Sequence, residues 1–179
     1  MKLAEERHIN ADPATVWAAV LNAEVLRACV PGCESLTGSP ADGFEAVVVQ
    51  KVGPVKARFS GTVTLSEMNE PHSLRIMGEG KGGVAGFAKG GAFVTMTAEG
   101  TGTKLTYEVD ASVGGKIAQL GSRIIDGFAK NFAEEFFNRF QSAIEGPDQE
   151  APADAAEPAS ADDGTEDTPK KGWFRRLIG

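Results

Sequence analysis

Few side chains in this sequence are equipped for chemistry, and their spacing limits what that chemistry can be. Cys29 and Cys33 lie four apart beside Pro31-Gly32, while His8 and His72 are distant from them and from each other. Two cysteines supply two ligands at most, short of a structural zinc site, so no metal role is expected. No serine or cysteine sits in an activating nucleophile motif. No iron–sulfur, flavin or nicotinamide fingerprint is present, so no intrinsic cofactor is expected. The stretch Gly78–Gly91 (GEGKGGVAGFAKGG) superficially resembles a phosphate cradle. It lacks the GxxxxGKS or GxxxxGKT pattern and the following helix, so that reading fails. What remains is Tyr107, the one tyrosine of the chain. On an inward face it can donate to a ligand carbonyl, or it can be a buried tyrosine bonded to backbone.

The elements that must position these groups follow from periodicity. From Gly115 to Ile144 apolar residues fall at Ile117, Leu120, Ile124, Phe128, Phe132, Phe136, Phe140 and Ile144. That spacing predicts one face of a helix, about eight turns long if unbroken. Four phenylalanines on one stripe require a wide apolar cover. The preceding residues supply it. Lys2–Asn10 reads as a strand, and Asp12-Pro13 opens a short helix to Leu21 that carries Trp17. Asn22 caps a second short helix, ended by Pro31-Gly32. Strands are then predicted over Cys33–Leu36, Phe44–Val52, Val55–Met68, Ser73–Gly80, Ala92–Ala98 and Lys104–Val113. The expected class is α+β: a curved antiparallel sheet of about seven strands around a long C-terminal helix, with two short helices after the first strand.

Small residues gather on the inward parity of these strands: Ala57, Gly61, Gly78, Gly80, Ala92 and Ala111. A core at native density needs large side chains there. Either the helix phenylalanines fill the space, or helix and sheet enclose an apolar pocket for a small hydrophobic ligand. The pocket reading names as lining Trp17, Ala57, Phe59, Gly61, Ile76, Gly78, Phe87, Ala92, Val94, Met96, Tyr107, Val109, Ala111, Val113, Ile117, Leu120, Ile124 and Phe128. Glu108 and Asp110 fall on the outward parity, so no inward carboxylate pair for acid–base work is visible. Val84 and Phe87 are expected at the tip of a mobile hairpin, flanked by Lys81 and Lys89, which either gates the mouth or has no such role.

Composition divides the chain into three. Residues 1–145 hold 14 basic and 17 acidic residues, an acidic balance that argues against nucleic acid. Residues 146–169 hold eight acidic residues, no basic ones, no aromatic and no Ile, Leu or Val, and are expected to be a disordered linker. Its 24 residues give a reach of roughly 25–30 Å. Residues 170–179 reverse sign. Lys170, Lys171, Arg175 and Arg176 alternate with Trp173, Phe174, Leu177 and Ile178. If helical, that tail is a small interfacial anchor for an anionic membrane surface; the other reading is a docking peptide for a protein partner. Met1–Asn10 has no apolar signal region and the cysteines read as free thiols, so a cytoplasmic location is expected, peripheral to the inner face of the membrane.

Four stretches carry a family resemblance: CVPGCESL (Cys29–Leu36), KVGPVKARFSGTVTL (Lys51–Leu65), GEGKGGVAGFAKGGA (Gly78–Ala92) and VGGKIAQLGSRIIDGFAKNFAEEFF (Val113–Phe137). Together they closely resemble the G-subunit family of carbon monoxide dehydrogenase, of the START-like, helix-grip superfamily, over about Met1 to Ser142. The resemblance implies a seven-stranded sheet gripping the C-terminal helix around a hydrophobic cavity. It implies an accessory role to a molybdenum-containing CO dehydrogenase, tethering it to the membrane and handling the quinone that receives its electrons. Members also occur beside other molybdenum hydroxylases. The expected function is that of a non-enzymatic carrier and adaptor, with menaquinone or ubiquinone bound in the cavity. A pure adaptor without ligand and a polyketide cyclase-like enzyme are the alternatives; a cyclase needs polar groups lining its pocket.

Overall fold

Two capped helices set the early geometry of the computed structural model, which describes residues 1–146. Strand β1 (Lys2–Ile9) leads to α1 (Pro13–Val20) and α2 (Ala23–Cys29). Asp12 accepts from the Thr15 amide at 3.4 Å and the Thr15 hydroxyl at 2.5 Å. Asn22 accepts from the amides of Glu24 and Val25 at 2.8 and 3.3 Å. Each cap satisfies amides that a helix start leaves free.

Six strands follow: β2 (Cys33–Ser39), β3 (Gly43–Val52), β4 (Val55–Asn69), β5 (Ser73–Lys81), β6 (Phe87–Glu99) and β7 (Gly102–Gly114). All neighbours are antiparallel, and the order across the sheet is β1-β7-β6-β5-β4-β3-β2. The expected α+β sheet of seven strands is therefore present. The strict alternation in β4 holds as well: Ala57, Phe59, Gly61, Val63 and Leu65 turn inward, and their neighbours face water.

Two expectations about length are corrected. The strands that flank the glycine-rich stretch run further into it than expected. Strand β5 continues to Lys81 and β6 resumes at Phe87, joined by one short 3₁₀ turn, Gly83–Ala85, whose Ala85 is buried. Nor is the C-terminal helix continuous from Gly115. A 3₁₀ segment, Gly115–Leu120, precedes Gly121, and helix α3 runs from Ser122 to Glu145. Gly115 and Gly121 have φ of 81° and 92°, values a helix interior does not take. The apolar spacing passes through this break because a 3₁₀ turn also repeats every three residues.

Helix α3 is held unevenly. Its C-terminal half buries Phe137 and Phe140 and is latched to β1 and the residue after it. The Gln141 amide donates to the His8 carbonyl at 3.0 Å, and the Asn10 amide donates to Glu145 at 2.8 Å. In its N-terminal half Ile124 is 40% exposed, and Phe128 and Phe132 are half-buried. Among the described residues no helix is long and apolar enough to cross a membrane. The linker (beyond Gly146) and the basic-aromatic tail lie outside the described residues.

Candidate functional site

The inward side chains form two separate cores. The larger joins Ile9, Val16, Trp17, Leu74, Val94, Met96, Leu105, Tyr107, Phe137 and Phe140. The smaller joins Val52, Ala85 and Ile117, with Val55, Ala57, Phe59, Val113, Leu120 and Phe128 packed on it. It forms where the β3–β4 turn, the 83–85 turn and the 115–120 segment meet.

The middle of the sheet carries the small residues, and there the packing is incomplete. An apolar hollow of about 430 Å³ runs along β3 to β7 under Phe132. Val48, Phe59, Val63 and Ile76 form its bulky walls, and Gly78, Gly80, Ala88, Ala92, Val109 and Ala111 its floor. A second chamber of about 180 Å³ lies deeper, between Val20, Leu26, Phe44, Leu105 and Phe136. Val30, Leu36, Val63 and Ile76 border both. A dry apolar cavity of about 150 Å³ suffices for a benzene-sized group, so even the inner chamber has room for a ring or a short branched chain.

The glycines of the floor differ in kind. A Cβ on Gly78 would find nothing nearer than 3.5 Å, and one on Gly80 nothing nearer than 3.8 Å. Nothing in the backbone requires glycine at these two positions; their effect is to leave space. A Cβ on Gly61 would instead run into the Glu79 carbonyl oxygen, so there glycine permits close approach of β4 and β5.

The lining expected from sequence separates accordingly. Phe59, Gly61, Ile76, Gly78, Ala92, Val109 and Ala111 border the outer chamber. Val94 borders the inner one while belonging to the larger core, where Trp17, Met96 and Tyr107 are packed. Ala57, Val113, Ile117, Leu120 and Phe128 belong to the smaller core. Ile124 is exposed at the edge, over the β3–β4 turn at Gly53. Phe87 is placed on the wrong side: it is 45% exposed on the outer face, lying where a Gly114 side chain would be. Phe87 lies five residues before Ala92, hence on the opposite parity of β6, and the exposed–covered alternation from Phe87 to Gly90 follows that parity. Phe132, Val30, Leu36, Ala46 and Val48 complete the outer wall, but the lining inferred from the sequence omits them. Phe132 was legible, since it lies on the helix stripe between Phe128 and Phe136. Val30 and Leu36 flank the end of α2 and carried no periodic signal.

Tyr107 does not offer its hydroxyl to the hollow. It is 3% exposed, donates to Glu5 at 2.9 Å and stacks on Phe137 with centroids 4.7 Å apart. Burial, then the bond to Glu5 and that group's negative charge, push its pKa up to about 12. Glu5 shares the inward parity of Leu3, Arg7 and Ile9, so the inner face is less uniformly apolar than its other strands suggest. Arg7 lies 5.6 Å from the centre of the Phe137 ring. The two thiols are free; burial pushes both Cys29 and Cys33 up, which disfavours the reactive thiolate. Among the described residues no three His, Cys, Asp or Glu side chains gather as a metal site.

A seven-stranded antiparallel sheet closed over a C-terminal helix, with two short helices after its first strand and an apolar hollow between, is the helix-grip architecture of START-like proteins. Solved structures agree. A conserved protein of Geobacillus kaustophilus superposes with a TM-score of 0.76 at 26% identity, covering 81% of this chain and 95% of its own. A protein of Rhizobium leguminosarum gives 0.63 at 19%, covering 81% and 94%, and one of Thermus thermophilus gives 0.60 at 16%, covering 80% and 97%. The last two show the fold alone. No curated protein matches this chain. Residues 6–145 match the carbon monoxide dehydrogenase G-subunit (CoxG) family, and the chain belongs to that family. Membership gives it an accessory role to carbon monoxide dehydrogenase.

Proposed function

We propose that this chain is a non-catalytic carrier and adaptor: it takes a quinone, menaquinone or ubiquinone, or a similar isoprenoid lipid into its hollow. It presents that ligand as electron acceptor to a molybdenum hydroxylase-type CO dehydrogenase, and it recruits the enzyme to the membrane. The observation that carries this reading is the two-chambered hollow, whose floor is kept open by Gly78 and Gly80 and whose walls are aliphatic and aromatic. Such a lining favours a ligand that is mostly hydrocarbon. The family supplies the partner. The basic-aromatic tail, Lys170 to Ile178, supplies a reversible hold on anionic lipid, with the protein otherwise at the inner face of the membrane.

The test is organic extraction of the full chain purified from a quinone-producing host, read by mass spectrometry beside Gly78→Leu. Near-stoichiometric quinone in the parent and little in the variant supports the carrier. Equal, trace amounts in both, repeated after exposure to quinone-loaded vesicles, overturn it and leave a pure adaptor. The cyclase-like alternative has less support: Tyr107 and Glu5, the acid–base pair on the inner face, are bonded to each other, and the Tyr107 ring is packed in the larger core.

A further inference from the structure

The hairpins of this sheet alternate between two ends of the molecule. The β3–β4 and β5–β6 connections lie at one end, with the 115–120 segment and the start of α3 gathered on the smaller core. That end exposes large apolar side chains. Val84, at the tip of the 83–85 turn, is 87% exposed, Phe87 beside it 45% and Ile124 40%. Around them stand five exposed cations: Lys51, Lys56, Lys81, Lys116 and Arg123. None of the five is in an ion pair among the described residues, although four Lys or Arg side chains elsewhere are paired with carboxylates. Lys51 and Lys56 stand directly opposite each other across the β3–β4 ladder. Like charges so placed repel and are relieved by an external anion. The carboxylates that adjoin this end are Asp126 and Glu79, and Glu79 faces Lys89 in the ladder.

The other end has the opposite character. Its hairpins carry Asp42, Glu67, Glu70 and Glu99, and the nearby cations Arg75 and Lys104 are already paired, to Glu67 at 2.8 Å and Glu6 at 3.2 Å. A body with net acidic charge thus presents one basic end tipped with apolar side chains.

We infer that this basic end of the folded body is itself a membrane-contact face, fitted to a bilayer surface rich in anionic phospholipid. Val84 and Phe87 enter the headgroup boundary and the cations sit among the phosphates. The acidic far end is repelled, which fixes the orientation of the body as well as its attachment. The acidic linker is a poorer occupant: residues 146–169 contain no Ile, Leu, Val or aromatic residue to cover Val84 and Phe87. The contact is separate from the tail and stands whether or not the hollow holds quinone. It would nonetheless serve such a carrier, because Phe59 belongs both to the smaller core and to the wall of the hollow.

The test uses the full chain carrying Cys33→Ser, with an environment-sensitive fluorophore on Val84→Cys or, at the far end, on Glu70→Cys. Each is prepared with the native tail and with Trp173→Ala plus Phe174→Ala. Vesicles of phosphatidylglycerol and phosphatidylcholine are then added. The expected result is a blue shift at position 84, with either tail, and none at position 70. Lys81→Glu with Lys116→Glu should weaken the response by about fivefold or more per charge changed. Vesicle flotation without a shift at 84 overturns the proposal while leaving the tail as anchor; neither flotation nor shift overturns both. A label at 84 that is already shielded without vesicles, and released by salt, shows the linker as occupant and also overturns it. Quinone extraction from Val84→Asp is expected to match the parent, so failure here is distinguishable from failure of the carrier reading.

Discussion

Tyr107 and Glu5 face each other directly across the β7–β1 ladder, and the tyrosine hydroxyl donates to the carboxylate at 2.9 Å. The pair lets a phenol lie deep under α3 without an unsatisfied hydroxyl, while its ring stacks on Phe137. Because burial and Glu5 both disfavour the phenolate, the pKa of Tyr107 is raised from 10.0 to about 12. The native state therefore holds its proton more tightly than the unfolded chain. The associated stability is complete below about pH 10 and is lost as pH rises through about 12. As the chain has one tyrosine, tyrosinate absorbance reports this site alone. The expected midpoint is near 12 when folded and near 10 in denaturant. Tyr107→Phe should flatten the alkaline fall in stability; coincident folded and unfolded midpoints would refute the account.

Gly61 and Gly78 invite the same substitution with opposite results. Alanine at Gly61 drives its methyl into the Glu79 carbonyl, a backbone atom that cannot move without shifting β5. A cost of about 1–3 kcal/mol is expected, as for overpacking generally. Alanine at Gly78 makes only ordinary contacts, and lowering the entropy of the unfolded chain favours the fold by about 0.4–1 kcal/mol. Urea titration of the two variants decides this, and equal destabilisation would count against the distinction between spacing glycines and open ones.

How much of this was legible follows from what parity can and cannot say. Alternation in β4 and β7 told correctly which side chains turn inward. It could not tell how far along the strand each one lies. Met96, Tyr107 and Ala111 share the inward side of β6 and β7, yet the first two are sealed under Phe137 and Phe140 while Ala111 borders open space. That difference is set by where α3 bears down, a property of the helix and not of the strands. Glu5 was visible on its parity, but its role depends on the register with Tyr107, which only the folded ladder fixes. The break at Gly121 was hidden for a local reason: the apolar period continues through it. Phe87 is on the outward parity of β6, five residues from the inward Ala92, so a place near the hairpin tip does not put it in the lining.

The uneven seating of α3 makes its phenylalanines unequal. Phe140 is 1% exposed in the larger core, and Phe140→Ala is expected to cost about 3–5 kcal/mol. That is a large part of a domain stability of about 5–15 kcal/mol. Phe132 is half-buried over the hollow, so Phe132→Ala loses fewer contacts and should cost less than half as much. Thermal melts of the pair check the ranking. Equal losses would mean that the N-terminal half of α3 bears as firmly on the sheet as the C-terminal half.

The carrier reading also makes a linkage prediction. A ligand that binds only the folded state raises its stability by about 2.7 kcal/mol at a hundredfold excess over Kd. A short-chain quinone should therefore raise the melting temperature of the full chain in a concentration-dependent way. Gly78→Leu and Ala111→Leu place four-carbon side chains against the outer chamber of about 430 Å³, and at Gly78 the added Cβ meets nothing nearer than 3.5 Å. Both variants should keep or slightly raise the ligand-free melting temperature, because each fills space instead of opening it. Both should lose the ligand-dependent rise. The contrast matters because a merely misfolded variant lowers the first quantity, whereas an occupied pocket removes the second. A parent protein whose melting temperature ignores quinone, while still recruiting the dehydrogenase to vesicles, would assign this chain to adaptor work alone.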